Sequence, residues 1–325
     1  MRSSLDVVVV NWNAGDDLRA CLGSIPAALD ASFELRRVVV VDNASSDGSL
    51  AGLDHQGLPL SVIRNAGNRG FGAACNQGAR AGGAEFLLFL NPDVRLLGGS
   101  LAVPLAHLAR PEAADVGVSG VQLEGEGGRV ARSCARFPRA ATFLWTATGL
   151  DRLLPALRLG YRMSEWDHAA TRDVDHVMGA FYLVRRRAFE AVGGFDERFF
   201  VYFEDLDLSL RLARAGWRAR YVADARALHR GGGTTRRIRG RALAYFLRGK
   251  LRYARKHHGR AGFLCAALST LLVEPWCRAL AALAAWRLGE LRAVLAAYAL
   301  LWVPEPRGGG ADIERERPEA LRDAA

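Results

Sequence analysis

The chain has 325 residues, 50% of them hydrophobic and 24% charged, enough to bury a substantial core as one large domain with an appendage or as two domains. Five scattered cysteines (Cys21, Cys75, Cys134, Cys265, Cys277), odd in number and without a CxxC pair, argue against a disulfide framework or a zinc site and fit a reducing cytosol. The net charge of +10 is local: residues 225–273 carry 12 Arg and Lys and no acid, leaving 32 bases against 34 acids elsewhere. That stretch is either a surface for an anionic partner or a solvated helical face.

The N-terminus enters an apolar run at once, with no basic n-region and cleavage site, so no signal peptide is expected. "LDVVVV" (5–10) has the continuous β-branched character of a buried parallel strand. Leu18, Cys21, Leu22 and Ile25 then fall on one helical face behind Asp16 and Asp17. "LRRVVVV" (35–41), "LSVIR" (60–64) and "EFLLFL" (85–90) read as further strands, and "GFGAACNQGARA" as a helix lined with small residues. Such a βαβ series predicts an open parallel sheet that binds ligands beyond the carboxyl ends of its strands.

Polar clusters stand at those ends: "NWN" (11–13), "DNASSDGS" (42–49), "NAGNRGFG" (65–72) and "NPDV" (91–94). Singly each is ordinary turn chemistry; four in register predict one composite site. The first strand is not followed by GxGxxG, which excludes a dinucleotide-binding dehydrogenase. Residues 124–175 carry little signal. "HVMGAFYLVRR" (176–186) is strand-like, and a helix ends at Gly193–Gly194. "FFVYFEDLDLSLRL" (199–212) opens another helix near Asp205, "RARYV" and "ARALH" are short strands, and the pattern is helical from Gly240 onward.

The pieces "VVVVNWN", "VVVVDNASSDGS", "NAGNRGFGAACNQG", "FLLFLNPDV", "MGAFYLVRRRAFEAVGGFDERFFVYFEDLDLSLRLARAGW" and "HRGGGTT" stand in an order that resembles family 2 inverting glycosyltransferases, most closely the bacterial rhamnosyltransferase-like branch, over roughly residues 5–235. The resemblance implies a GT-A fold: a mostly parallel, Rossmann-like α/β sheet flanked by helices, here with a C-terminal helical extension. It divides the chain into a catalytic domain, 1–235 (nucleotide-binding half 1–95, acceptor-binding half 96–235), and a basic amphipathic tail, 236–325. It also implies a nucleotide-sugar donor and a divalent cation, Mg2+ or Mn2+.

Asp42, at the edge of the sheet, is placed to accept the imide N–H of uracil or thymine, as the matching family residue does; Asp47 better fits a plain turn acid. Asn11 and Asn13 are candidates for holding the nucleoside. In "GNRGFG", Asn68, Arg69 and Gly70 would approach a phosphate or simply form a glycine-rich turn. "NPDV" departs from the family's Asp-x-Asp: Asn91 replaces the first acid and would bind ribose or sugar, leaving Asp93 to hold the metal, which suffices for Mg2+ with phosphates and waters. His229 is a candidate metal or diphosphate contact.

Three carboxylates follow an aromatic run, and an apolar wall raises a carboxylate's proton affinity. Asp207 has a structural explanation as the acid-first partner of Arg211. Glu204 and Asp205, at the start of the helix, read either as caps or as catalytic groups. The resemblance makes Asp205 the general base and gives Glu204 the task of positioning it or binding the acceptor. The reaction would be a single displacement with inversion at the anomeric carbon.

In the tail the longest uncharged runs are 13 and 11 residues, and Glu274, Pro275, Arg278 and Arg287 interrupt them, so no spanning helix is expected. Amphipathic helices bearing Trp276, Trp286 and Trp302 would lie on an anionic membrane surface, or else pack on the catalytic domain or a second subunit. The final "RGGGADIERERPEALRDAA" reads as loosely ordered. The whole predicts a cytoplasmic enzyme, peripheral on the inner face of the cell membrane. It would move a sugar (dTDP-rhamnose or a UDP-sugar as donor) to a glycan or polyprenyl-linked acceptor in cell-surface polysaccharide synthesis, with no nucleic-acid partner. The alternative is a catalytically silent assembly component of the same fold.

Overall fold

The computed structural model describes residues 2–53, 57–231 and 238–303. The valine run makes β1 (Ser3–Asn11), buried from Ser4 onward, and α1 (Asp16–Ser24) follows with Leu18, Cys21 and Leu22 inward. Next come β2 (Phe33–Asp42) and β3 (Leu60–Arg64). Helix α2 (Phe71–Arg80) lies so close to the sheet that a Cβ on Gly78 would stand 2.4 Å from a Val8 methyl, which accounts for its small residues. Then follow β4 (Phe86–Leu90), β5 (Val94–Leu96), α3 (Ala102–Ala109) and β6 (Val116–Glu124).

The stretch with little sequence signal holds β7 (Cys134–Ala135), α4 (Ala140–Thr148), α5 (Leu150–Leu153), β8 (Arg172–Val174) and β9 (His176–Val177). After it come β10 (Phe181–Arg185), α6 (Arg186–Ala191), α7 (Glu204–Arg214) and β11 (Arg218–His229). The two short strands expected after α7 are one strand with an irregularity between Val222 and Arg226. The chain closes with α8 (Arg239–His257), α9 (Gly259–Leu268), α10 (Glu274–Ala284) and α11 (Leu288–Leu300).

Nine strands form one mixed sheet in the order β3-β2-β1-β4-β10-β6-β11-β5, with β8 also beside β11. The strands β3, β2, β1 and β4 are mutually parallel, and β6 is parallel to β11. Antiparallel β10 splices the two parallel groups between β4 and β6. Both faces are covered: Val7, Val9, Val38 and Val40 pack into one core, and Val8, Val10, Val39 and Val41 into the other. This two-sided burial is why the strands read as unbroken apolar runs. The register sets Asn11 beside Asp42, which brings the polar strand ends to one edge.

A third cluster joins Phe143 of α4, Phe199, Phe203, Leu206 of α7, Tyr253 and Ala254 of α8 and Ala266 of α9. The expected domain boundary at 235/236 lies outside the described residues, as does the stretch expected to be loosely ordered. Across that boundary, α8 is tied to α7 and to Asp196. Lys256 Nζ lies 2.6 Å from both Asp196 and Asp207, and His257 Nε2 lies 2.7 Å from Asp207.

The tail also departs from the expectation that none of its helices is long and apolar enough to span a membrane. Residues Gly259–Ala284 form one continuous 26-residue helix, by length and composition long and apolar enough to cross a membrane. Pro275 is absorbed by a π-helical turn over Ser269–Val273. Glu274 is buried against Lys250 of α8 and accepts a 2.8 Å hydrogen bond from Arg278. The charge that interrupts the run in sequence is thus neutralised by the fold.

Candidate active site

At the carboxyl edge of the parallel strands lies a cavity of about 730 Å³. Trp12 and Asn13 reach it from the end of β1, Asn43 from β2, Asn68 and Gly70 from the turn before α2, and Asn91 and Asp93 from the end of β4. Its other wall is Met178–Ala180, the 200–205 segment, His229 and the α8 residues Tyr245 and Phe246. Eight of the eleven candidate residues therefore share one cavity: Asn13, Asn68, Gly70, Asn91, Asp93, Glu204, Asp205 and His229.

The other three lie elsewhere. Arg69 is exposed and is not among the residues that line the cavity. Asn11 and Asp42 sit just behind the wall. Asn11, fully buried, donates to Asp42 Oδ1 (2.7 Å), and Ser45 donates to the same carboxylate through its hydroxyl (2.6 Å) and its backbone N–H (3.2 Å). A carboxylate offers about four lone-pair sites, so three donors leave Asp42 one acceptor site.

Gly70 has a requirement that sequence reading did not identify. Its φ is +86°, its N–H is donated to Asn68 Oδ1 (2.9 Å), and a Cβ there would stand 2.4 Å from the Phe200 carbonyl oxygen. Phe71 N–H donates to that same oxygen at 2.7 Å. The glycine-rich turn is thus shaped to receive the aromatic segment, and the Gly70 N–H is already committed. Gly249 of α8 approaches the same segment from the opposite side, where a Cβ would meet the Tyr202 carbonyl at 2.6 Å. Within this closely packed segment Tyr202 and Phe203 both adopt φ of +68°, a strained backbone immediately before α7.

The three acids differ sharply in their surroundings. Glu204 is buried, and burial first, the neighbouring Asp205 charge second, push its proton affinity well above the usual carboxylate range; its Oε2 has no hydrogen-bond partner. Asp205 is partly open to the cavity. Its Oδ2 accepts the Gly179 N–H and its Oδ1 the Leu206 N–H, both at 2.8 Å. Asp207 has no exposed side-chain surface. Burial opposes its ionisation, but His257, Lys256 and Arg211 outweigh that and hold it below the usual carboxylate range. The expected Asp207–Arg211 pair is present at 2.8 Å.

Asp93 Oδ1 and His229 Nε2 stand 3.4 Å apart across the cavity floor, and Arg230 pairs with Asp17 beside them at 3.0 Å. Among the described residues no group of three or more His, Cys, Asp or Glu converges as a metal cage. Two protein ligands nevertheless fit a cation that takes its remaining oxygens from a diphosphate and water.

Residues 6–193 match the family described as Glycosyl transferase family 2. The chain belongs to glycosyltransferase family 2. Residues 153–304 of this glycosyltransferase also match Glycosyl transferase family group 2. It is 31% identical over 247 residues to an N-acetylglucosaminyl-diphospho-decaprenol L-rhamnosyltransferase of Mycobacterium tuberculosis, covering 70% of this chain and 76% of that one. It is 27% identical over 261 residues to rhamnosyltransferase WbbL of Escherichia coli K12, covering 77% and 92%. Among solved structures it resembles a mannosyltransferase from Pyrobaculum calidifontis in complex with GDP-Man and Mn2+, with a TM-score of 0.57 and 19% identity over 94% of this chain and 89% of that one. It also resembles TarS of S. aureus (residues 1–349), with a TM-score of 0.51 and 16% identity over 92% and 91%. These structures carry the GT-A architecture, and the relatives make the glycosyltransferase a rhamnosyltransferase-like enzyme of sugar transfer in glycan synthesis.

Proposed function

We propose that this glycosyltransferase is metal-assisted and inverting. It would move a sugar from a nucleoside-diphosphate donor, dTDP-rhamnose or a UDP-sugar, to a hydroxyl of a glycan or polyprenyl-linked acceptor. The observation that carries this reading is one cavity holding Asp205 on the acceptor side and the Asp93–His229 pair on the donor side. The remaining acceptor site on Asp42 takes the base imide, and Asn13, Asn68 and Asn91 line the way to the sugar. Asp93 and His229 hold Mg2+ or Mn2+, which when bound supplies positive charge against the departing diphosphate. Asp205 accepts the proton of the acceptor hydroxyl as its oxygen bonds to the anomeric carbon opposite the leaving diphosphate, which inverts the configuration. Glu204, kept protonated, offers its partnerless oxygen to a sugar hydroxyl.

Asp205→Asn tests this reading. It should abolish transfer while nucleotide affinity, measured by calorimetry, stays unchanged; undiminished transfer would remove the base assignment. Replacing Asp93 by Ala should weaken Mn2+ binding in the presence of nucleotide, read directly by paramagnetic resonance. The silent-component alternative is less well supported, since Asp93, Glu204 and Asp205 all open on the cavity.

We also propose that the tail rests on a membrane where a lipid-linked acceptor resides. Leu264, Leu268, Leu272, Trp276 and Leu280 recur every fourth residue and are all exposed, and Trp286 and Trp302 are 88% and 75% exposed. The basic stretch contributes less than its charge implies. Arg226, Arg230, Lys250 and Lys256 are paired with acids, and Arg248 donates to the Leu300 carbonyl. Attachment should therefore rest mainly on apolar burial. Co-sedimentation with anionic liposomes should survive high salt in large part; complete release by salt would contradict this.

A further inference from the structure

Behind Asp205 runs a buried chain of three polar side chains. Tyr182 Oη lies 2.9 Å from Ser209 Oγ, Ser209 Oγ lies 2.9 Å from His176 Nδ1, and His176 Nε2 lies 3.6 Å from Asp205 Oδ2. Tyr182, Ser209 and His176 come from β10, α7 and β9, and all three are buried. We propose that His176 is a positioning residue for Asp205, the end of a relay that aims one N–H at the carboxylate and keeps it oriented and ready to accept a proton. This inference rests on the reading of Asp205 as general base.

The direction of the relay follows from counting protons. Burial keeps the Tyr182 phenol protonated, so it has one O–H to donate and donates it to Ser209. Ser209 then spends its own proton on His176 Nδ1. Burial, against the pull of Asp205 and Asp175, lowers the proton affinity of His176, so the imidazole is neutral with a single N–H. With Nδ1 accepting, that N–H is on Nε2, the nitrogen facing Asp205. The reverse orientation would leave the Tyr182 proton, and a serine accepting from both neighbours would leave its own proton, buried without an acceptor among the described residues. At 3.6 Å the last link is an electrostatic contact rather than a hydrogen bond, of the kind that tightens when substrate closes a site. Oδ2 already accepts the Gly179 N–H, so the two donors together fix that oxygen from behind.

The other titratable and charged groups around the relay are Asp175 beside His176, Glu204, Asp207 and Arg211 on α7, Cys75 on α2, and Tyr161 with Arg162. Glu204 adjoins Asp205, so the test compares the profile of each variant with that of wild type. A donor aimed at a carboxylate favours its ionised form. Removing the donor must therefore move the acid limb of that profile upward.

The test is kcat and KM against pH for the full chain, comparing wild type with His176→Phe, His176→Gln and Ser209→Ala. His176→Phe should lower kcat about tenfold, leave the donor KM unchanged, and raise the acid limb by roughly one pH unit. His176→Gln, whose amide still carries an N–H, should recover most of the limb. Ser209→Ala, which frees the imidazole tautomer, should give an intermediate shift and serves alone if His176→Phe does not fold. An unmoved acid limb in His176→Phe, in Ser209→Ala where that variant stands in for it, or a limb in His176→Gln as displaced as in His176→Phe, overturns the proposal. Asp205→Asn separates the two ideas. If it keeps transferring sugar, the base reading fails; if it is inactive while His176→Phe behaves as wild type, only the relay fails.

Discussion

Replacing Glu204 by Gln should make the protein more stable, and increasingly so as pH rises. An unfolded chain releases a Glu proton above about pH 4.3. The folded protein holds it, because burial and the adjacent Asp205 disfavour a second charge. Between those limits the native state binds more protons than the unfolded state, so stability falls with rising pH by about 1.4 kcal/mol per pH unit. Gln does not titrate and escapes this cost. The difference between variant and wild type should thus start near zero around pH 4.5, climb with that slope, and level off once folded Glu204 ionises. The side chain is buried, so solvent screening does not reduce the effect. Among the described residues its Oε2 has no hydrogen-bond partner, so the substitution breaks no bond at that atom. Urea unfolding of both proteins from pH 4.5 to 8 measures the difference directly. A difference that is flat across this range, or a variant progressively less stable toward pH 8, would refute the claim that Glu204 is held protonated.

Asp207→Ala should cost about 3 kcal/mol, since it strands Arg211, Lys256 and His257 around an emptied buried site; Asp196 retains Lys256, so a loss under 1 kcal/mol would show the network to be redundant. The folded proton affinity of Asp207 is depressed, so its contribution is fully present above about pH 4 and is lost as pH falls further; the acid-side decline in Tm should be shallower in the variant. Gly70→Ala should destabilise by about 2 kcal/mol or more by thermal melting, because φ is +86° and the new Cβ meets the Phe200 carbonyl. A chain ending at Thr235 should be insoluble or molten, since it loses Tyr253, Ala254 and Ala266 from the third core and both α8 partners of Asp207; a cooperative melt would contradict that.

The first four strands were legible because β1, β2 and β4 are buried on both faces, so their apolar residues run unbroken, and because strand ends carry a polar vocabulary that apolar strands lack. Order within the sheet was not legible. Nothing local in "FYLVR" (181–185) tells that β10 enters antiparallel between β4 and β6, since hydrogen-bonding direction leaves no mark on side-chain alternation. The continuity of the helix over Gly259–Ala284 was not legible for a related reason. Glu274 and Pro275 break a helix on paper, but Lys250 lies 24 residues away in sequence and supplies the countercharge only after α8 and α10 dock. His176 gave no signal at all, being one histidine in an apolar stretch, and its meaning depends on Ser209, 33 residues later.

The acids after the aromatic run show where the limit lies. Their crowding in sequence announced a site, and the i,i+4 spacing to Arg211 gave Asp207 a structural role, but only the family resemblance divided Glu204 from Asp205, because adjacent acids differ chiefly in what the fold brings to them. The side of α7 facing α8 gathers Lys256 and His257, so an acid there is ionised and structural. The position against Gly72 gathers no cation among the described residues, and burial raises the proton affinity of the acid there. Only the carboxylate between them meets a backbone N–H and a neutral imidazole while still reaching the cavity. A general base must reach the acceptor hydroxyl without being neutralised by a fixed cation, and that combination of cavity access and backbone contacts is what supports the base role proposed for Asp205.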